Sequence, residues 1–292
     1  MIDLHMHTNY SDGEKTVEEL LKMCEERKLE YISITDLDNC RQYDDPAIKN
    51  NTFFSGKIIK GLEMHALYKN RKYEILAYDI DTDIINEWHK KYYSDEKLVE
   101  NQKICGKMML DIFDKLGIVY DLEKIKWPIK PTQFVERPIF TEAISHPENK
   151  KIFGEYNESN FGLFFRKEMT NPESPFFMTP VGMPEHKEVI DIIHKAGGKA
   201  FLAHPFEYRF EDTLGFIDNI RKEAELDGIE VFHPSAMFDN KKDILYEYAR
   251  KNNLFISGGS DYHGKSKPDI MVGVGRGNIN ISKEFLLEWY KG

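Results

Sequence analysis

The sequence predicts an α/β protein carrying a mostly helical insertion, and three observations predict it. Short apolar, β-rich runs alternate with amphipathic helical stretches at both ends of the chain. Between them, roughly residues 96–180, the alternation stops. Nearly every expected strand ends on His, Asp or Glu, the pattern of a barrel or parallel sheet whose site is built at the C-terminal ends of its strands. A length of 292 residues fits one α/β barrel or two smaller domains.

In chain order, Ile2–His5 reads as a strand and leads into His5-Met-His7. On a strand, side chains two apart share a face, so both imidazoles project together. Asp12 follows in a Ser-Asp-Gly turn. Thr16 with Glu19 three residues on is a capping box, and Val17, Leu20, Leu21 and Cys24 recur at helical spacing behind it. Tyr31–Thr35 is a strand ending at Asp36-Leu-Asp38; Lys57–Ile59 leads into Gly61-Leu-Glu-Met-His65; Glu74–Tyr78 is a further strand. Lys97–Leu116 reads as a long helix, and the stretch from Pro128 to Pro184 is rich in Pro, Asn, Phe and charge. We divide the chain into a barrel of residues 1–95 and 181–292 and an inserted helical unit of 96–180.

The alternation then resumes. Pro184 opens a helix with Val189, Ile190 and Ile193 on one face, ended by Gly197-Gly198. Strands Lys199–Ala203, Gly228–Phe232 and Leu254–Ser257 end at His204, at His233 and at Gly258-Gly-Ser-Asp-Tyr-His263, with helices near Phe210–Glu225 and Asn240–Asn252 between them.

Composition narrows the function class. A formal net charge of -10 with no basic run argues against gripping an extended nucleic-acid duplex by its backbone. No apolar run is long enough to span a bilayer, and Asp3 and two histidines stand where a signal peptide needs basic then apolar residues. Cys24, Cys40 and Cys105 form no paired framework, which fits a cytoplasmic protein.

His5, His7, Asp36, Asp38, Glu63, His65, His204, His233, Asp261 and His263 all fall at expected strand ends. So many imidazoles and carboxylates on one rim indicate a metal site, and the mixed donors favour Mn, Fe or Zn. A carboxylate such as Glu63 could bridge two ions about 3.5–4 Å apart, a pair that acidifies water and suits phosphoester hydrolysis.

The motifs resemble those of the PHP (polymerase and histidinol phosphatase) superfamily, in its small phosphoesterase branch. The matching segments are Asp3-Leu-His-Met-His-Thr-Asn-Tyr-Ser-Asp-Gly13, Ile34-Thr-Asp-Leu-Asp38, Gly61-Leu-Glu63, Glu74-Ile-Leu-Ala-Tyr78, Ala196-Gly-Gly-Lys-Ala-Phe-Leu-Ala-His-Pro205, Gly228-Ile-Glu-Val-Phe-His-Pro234 and Ser257-Gly-Gly-Ser-Asp-Tyr-His-Gly264. The resemblance implies a distorted (β/α)7 barrel holding two to three divalent ions. One ion would take His5, His7, Glu63 and Asp261. A second would share Glu63 and add His204 and Glu74. A third would use Asp12 and His263 with the residue at Leu37. Three positions depart from the pattern: Leu37 and Ile139 replace histidines, and Glu74 stands where the family has His.

The remaining candidates are weighed against plainer roles. Arg137 follows the family's phosphate-contacting arginine, against an ordinary surface ion pair. His65 could contact substrate, replace a ligand or simply fill a loop. His233 could contact substrate and protonate the leaving group. Asp36 is expected to orient a neighbour. His89, His146, His186 and His194 read as surface residues, and Phe161, Phe164, Phe165, Phe176 and Phe177 as the insert's own core. The function expected is a metal-dependent phosphoesterase acting, through metal-activated hydroxide, on a small phosphorylated molecule such as a nucleotide. The competing classes are a weakly catalytic or non-catalytic metal-binding sensor or scaffold, motivated by Leu37, and a metal-dependent amidohydrolase.

Overall fold

A computed structural model describes residues 1–127, 130, 134–208 and 210–292. They separate into two compact units: Met1–His89 with Pro184–Gly292, and Lys90–Met183.

Among the described residues, all eight strands lie in the first unit. β1 (Ile2–Asp3), β2 (Tyr31–Ile32) and β3 (Lys57–Ile58) form a parallel three-stranded sheet. β4 (Gly61–Tyr68), β5 (Arg71–Tyr78), β6 (Lys199–Leu202), β7 (Gly228–Phe232) and β8 (Phe255–Gly258) form a five-stranded sheet in that order. Among the described residues the strands make these two sheets and no closed barrel. Isolated parallel bridges pair Met6 with Tyr262 and Leu37 with Glu63, and the Leu4 N–H donates to the Gly258 carbonyl at 3.2 Å.

The sheet is not wholly parallel, as strand–helix alternation alone predicts. β4 and β5 are an antiparallel hairpin, and β5 also runs antiparallel to β6. The reason lies in Lys69 and Asn70, whose φ values of 49° and 62° make the two-residue turn that matches strand twist. Both strands run longer than their apolar cores suggest. Glu63 and His65 therefore lie inside β4 rather than past its end, and Glu74 faces His65 directly across the ladder.

Helices cover these sheets through faces readable in sequence. In Val17–Glu26 the Thr16 hydroxyl accepts from Glu19 N and the Glu19 carboxylate accepts from Thr16 N, while Val17, Leu20, Leu21 and Cys24 are buried. His186–Lys195 buries Val189, Ile190, Ile192 and Ile193. It also buries His186, expected at the surface, whose Nδ1 lies 3.1 Å from the Leu67 carbonyl.

In the second unit, Asp95–Leu116 is a helix begun by a Ser94 cap and ended by Gly117 in the left-handed conformation. Its core gathers Phe113, Phe140, Phe153, Phe164 and Phe176. Phe165, expected there, is exposed, whereas Phe161 is partly buried against the cluster. Among the described residues no helix is long and apolar enough to cross a membrane.

Candidate metal centre

The rim chemistry begins with two turns that admit only glycine. A Cβ on Gly259 would fall 2.3 Å from the His5 nitrogen, and one on Gly13 would fall 2.4 Å from the His7 carbonyl oxygen. These close approaches bring the residues after β8 and the Ser-Asp-Gly turn against the residues after β1. Asp3, fully buried, ties the same region together: its carboxylate accepts from Gly273 N at 2.7 Å, Ser260 N at 2.9 Å and His5 N at 3.3 Å. Asp36 accepts from Thr8 N at 2.8 Å and from the Thr8 and Ser11 hydroxyls at 2.6 Å each, so it orients the turn that carries Asp12.

Four donor atoms then converge. His5 Nε2 lies 3.2 Å from His7 Nε2, and each is 3.5 Å from Asp261 Oδ1. Glu63 Oε2 stands 3.5 Å from His5 Nε2 and 3.3 Å from His7 Nε2. A tetrahedron with ligand bonds of ~2.1 Å has edges of ~3.4 Å, and these five separations of 3.2–3.5 Å are of that size. Glu63 presents its other oxygen, Oε1, to His204 Nε2 at 2.8 Å, and among the described residues the buried His204 Nδ1 has no hydrogen-bond partner. A third group joins Asp12 to His7 Nδ1 at 3.3 Å and to His263 Nε2 at 3.3 Å. His5–His7–Asp261, His5–Glu63–His204 and His7–Asp12–His263 are thus three sets of donors close enough to hold an ion.

Glu74 joins none of these sets. Its carboxylate faces Lys72 at 3.2 Å and His65 Nε2 at 3.5 Å. His65 in turn has Nδ1 2.5 Å from Asp38 Oδ2, and its backbone N–H donates to the same carboxylate. His233 Nδ1 accepts from Ser235 N at 3.1 Å, which leaves Nε2 to carry the proton and donate to Asp261 Oδ2 at 3.2 Å. His233 thereby holds Asp261. Arg137 lies in the second unit, its guanidinium 5.0 Å from the centre of the Phe161 ring.

Two residues at the centre escaped the sequence reading. Glu230, fully buried on β7, takes His5 Nδ1–H on Oε1 at 2.9 Å and His204 N–H on Oε2 at 2.8 Å. This fixes the His5 tautomer and leaves Nε2 for an ion. Its signal was a lone acid in the apolar run Gly-Ile-Glu-Val-Phe, where an unpaired charge would be expensive. Lys267 places its ammonium on Asp261 Oδ2. Its signal was only a lysine shortly after a likely ligand, and that is common.

The electrostatics are those of a site built for cations. Burial alone would lower the histidine pKa values. For His5 the Glu230, Glu63 and Asp261 carboxylates outweigh it and push the value up to about 10. For His204, Glu63 does the same, to about 9. Burial would raise Glu63 and Asp261, yet His5 and the neighbouring imidazoles hold both well below the usual carboxylate range. In the metal-free protein, the raised histidines contribute stability present below their unfolded value of ~6.5 and lost as pH climbs toward 9–10. The depressed carboxylates contribute stability present above ~4 and lost on acidification. Metal must displace those protons, so its affinity rises with pH. Chelator-stripped protein should therefore show a Tm that falls from pH 6 to 9, while the gain in Tm on adding Mn or Zn grows over the same range. A metal-free Tm that climbs with pH would contradict this.

Comparison with known proteins agrees with that chemistry. The family model described as the PHP domain matches residues 3–116. Residues 3–116 are thus similar to a PHP domain. The match includes His5, His7, Asp12, Glu63 and Glu74, and the rest of the centre comes from beyond it. Among curated relatives, the chain is 25% identical over 265 residues to the 5'-3' exoribonuclease Rnm of Escherichia coli strain K12, covering 89% of this chain and 84% of that protein. It is 24% identical over 277 residues to the phosphoribosyl 1,2-cyclic phosphate 1,2-diphosphodiesterase of Eggerthella lenta, covering 90% and 94%. A crystal structure from Bifidobacterium adolescentis, named as a candidate metal-dependent phosphoesterase, matches with a TM-score of 0.63 at 22% identity over 98% of this chain and 94% of that one. An amidohydrolase from Chromobacterium violaceum, with bound sulfate and no metal, also matches at 0.63 and 22%, over 93% and 89%. These structural likenesses describe the fold.

Proposed function

We propose that this protein is a metal-dependent phosphoric ester hydrolase acting on a small phosphorylated molecule, a nucleotide or short nucleic-acid end being the favoured class. The observation that carries the reading is the split Glu63 carboxylate, one oxygen in the His5–His7–Asp261 cradle and the other on His204. The family match and the phosphodiester chemistry in the names of both curated relatives support it.

In this reading His5, His7, Glu63 and Asp261 hold one divalent ion, and Glu63 with His204 holds a second. When bound, such a pair supplies Lewis-acid neutralisation of phosphate oxygens and acidifies water. The chain's own groups do the rest. Glu230 and Asp3 aim His5, and His233 and Lys267 fix the outer oxygen of Asp261. Asp38 and Glu74 bracket His65 at the edge of the centre, beside Lys72, where the non-reacting part of a substrate would lie. Arg137, in the second unit, is a phosphate-contact candidate by the resemblance alone. The bridges from Met6 to Tyr262 and from Leu37 to Glu63 support reading the two sheets as one distorted barrel.

Phosphate release from a panel of nucleotides, oligonucleotides and sugar phosphates, with Mn, Fe or Zn, tests the proposal. Inactivity of every metal-loaded preparation would refute it.

The metal count is expected to be two per chain. A neutral imidazole has one lone pair. If His7 Nε2 serves the cradle, its Nδ1–H goes to Asp12, and the third group keeps only Asp12 and His263. Leu37 stands where the resemblance places a further histidine. The Glu63–His204 pair also has two protein donors, but it is buried and shares Glu63 with the first ion, whereas Asp12 is 55% exposed. Metal analysis of purified protein should return about two ions, and Leu37→His should raise the count. Three ions in the native protein would refute the assignment.

A further inference from the structure

Charge bookkeeping at the centre leaves room for a further cation. The carboxylates in contact with its imidazoles are Asp12, Glu63, Glu230 and Asp261, four negative charges that two divalent ions would cancel. A phosphate dianion would gain oxygen coordination at such a pair but no surplus positive field around it. A cation in the same unit would add that attraction. Lys72 is engaged with Glu74 and His65, and Lys265 is paired with Glu14 at the exposed end of its loop.

Lys267 is placed differently. A single turn, Gly264–Ser266, folds the chain back from His263, and the Lys267 N–H closes it on the Gly264 carbonyl at 3.1 Å. The ammonium then meets Asp261 at Oδ2, the oxygen opposite the one that faces His5 and His7. The cation thus stands beside the cradle and not in it. An ammonium has three donors, and Asp261 takes one. The side chain is 42% exposed, so a solute can reach it although its neighbours are buried.

Resting on the hydrolase reading above, we propose that Lys267 is a substrate-binding residue that donates to a nonbridging phosphate oxygen at the metal centre while bracing Asp261. A neutral carbonyl substrate would need no such charge, which is why the assignment also bears on substrate class.

Inorganic phosphate titrated calorimetrically into Mn-loaded protein, with metal analysis of the same samples, is the test. Lys267→Met should weaken phosphate about tenfold to a hundredfold, the range of one hydrogen bond to a charged group. Lys267→Arg should retain most of the affinity, and Lys265→Met should match the wild type. All three should keep the wild-type ion count. Unchanged phosphate affinity in Lys267→Met overturns the proposal. So does loss of metal from that variant, which would reduce the lysine to a support for Asp261. The two readings fail separately. A wild type that hydrolyses no ester yet binds phosphate through Lys267 removes the hydrolase reading alone. An active enzyme indifferent to Lys267→Met removes this inference alone.

Discussion

Glu63→Gln is expected to lower kcat by about a thousandfold or more, equivalent to about 4 kcal/mol of transition-state stabilisation, and to remove at least one ion from the purified protein. The change is isosteric, but it replaces a charged oxygen that two donor sets share. Oε2 lies 3.3–3.5 Å from His5 and His7 Nε2, and Oε1 lies 2.8 Å from His204. An amide presents one good acceptor instead of two and turns an N–H toward the other set. Both sets therefore weaken together. Metal analysis and steady-state kinetics on the same preparation check this. A Glu63→Gln protein with full metal content and near-native turnover would show that the carboxylate does not bridge.

Glu230→Gln should cost about 10–100-fold in metal affinity, although the residue itself faces no ion. One amide oxygen can still take His5 Nδ1–H, but the amide nitrogen then confronts the His204 N–H, donor against donor. At a site with no exposure, a stranded donor also destabilises the metal-free protein by about 1–3 kcal/mol. Since Glu230 acts through His5, the losses from Glu230→Gln and His5→Ala should not add. Metal titration of the two single variants and the double variant measures this. Strict additivity would mean that Glu230 stabilises the strand and nothing more.

Most of the donor atoms were visible in the chain before any coordinates. His-x-His after an apolar run, Ser-Asp-Gly, Ala-His-Pro and Ser-Asp-Tyr-His are local patterns, and the capping box at Thr16 and Glu19 likewise needs only its own four residues. The β4–β5 hairpin was not visible. Its turn residues, Lys69 and Asn70, are not the usual glycine pair, and its outer rungs are polar. Missing it placed His65 past the end of a strand, and the resemblance alone offered Glu74 to an ion; the register sets the two opposite each other beside Lys72. His186 was misjudged for a related reason. Its burial depends on the Leu67 carbonyl, 119 residues away in sequence, and helical periodicity cannot report that.

The sequence by itself offered the side chains that could bind a cation and pointed most of them to the ends of strands, because residue type and strand periodicity are local properties. Only the tertiary structure decided how those atoms divide. It put Oε1 and Oε2 of Glu63 on different partners, gave His5 Nδ1 to Glu230, turned His233 onto Asp261, and brought Lys267 to the far oxygen of that aspartate. Such choices rest on distances of a few tenths of an ångström between residues up to some 225 positions apart. Chain composition cannot encode them one residue at a time, since each lone pair is assigned by whichever neighbour the packed fold delivers first.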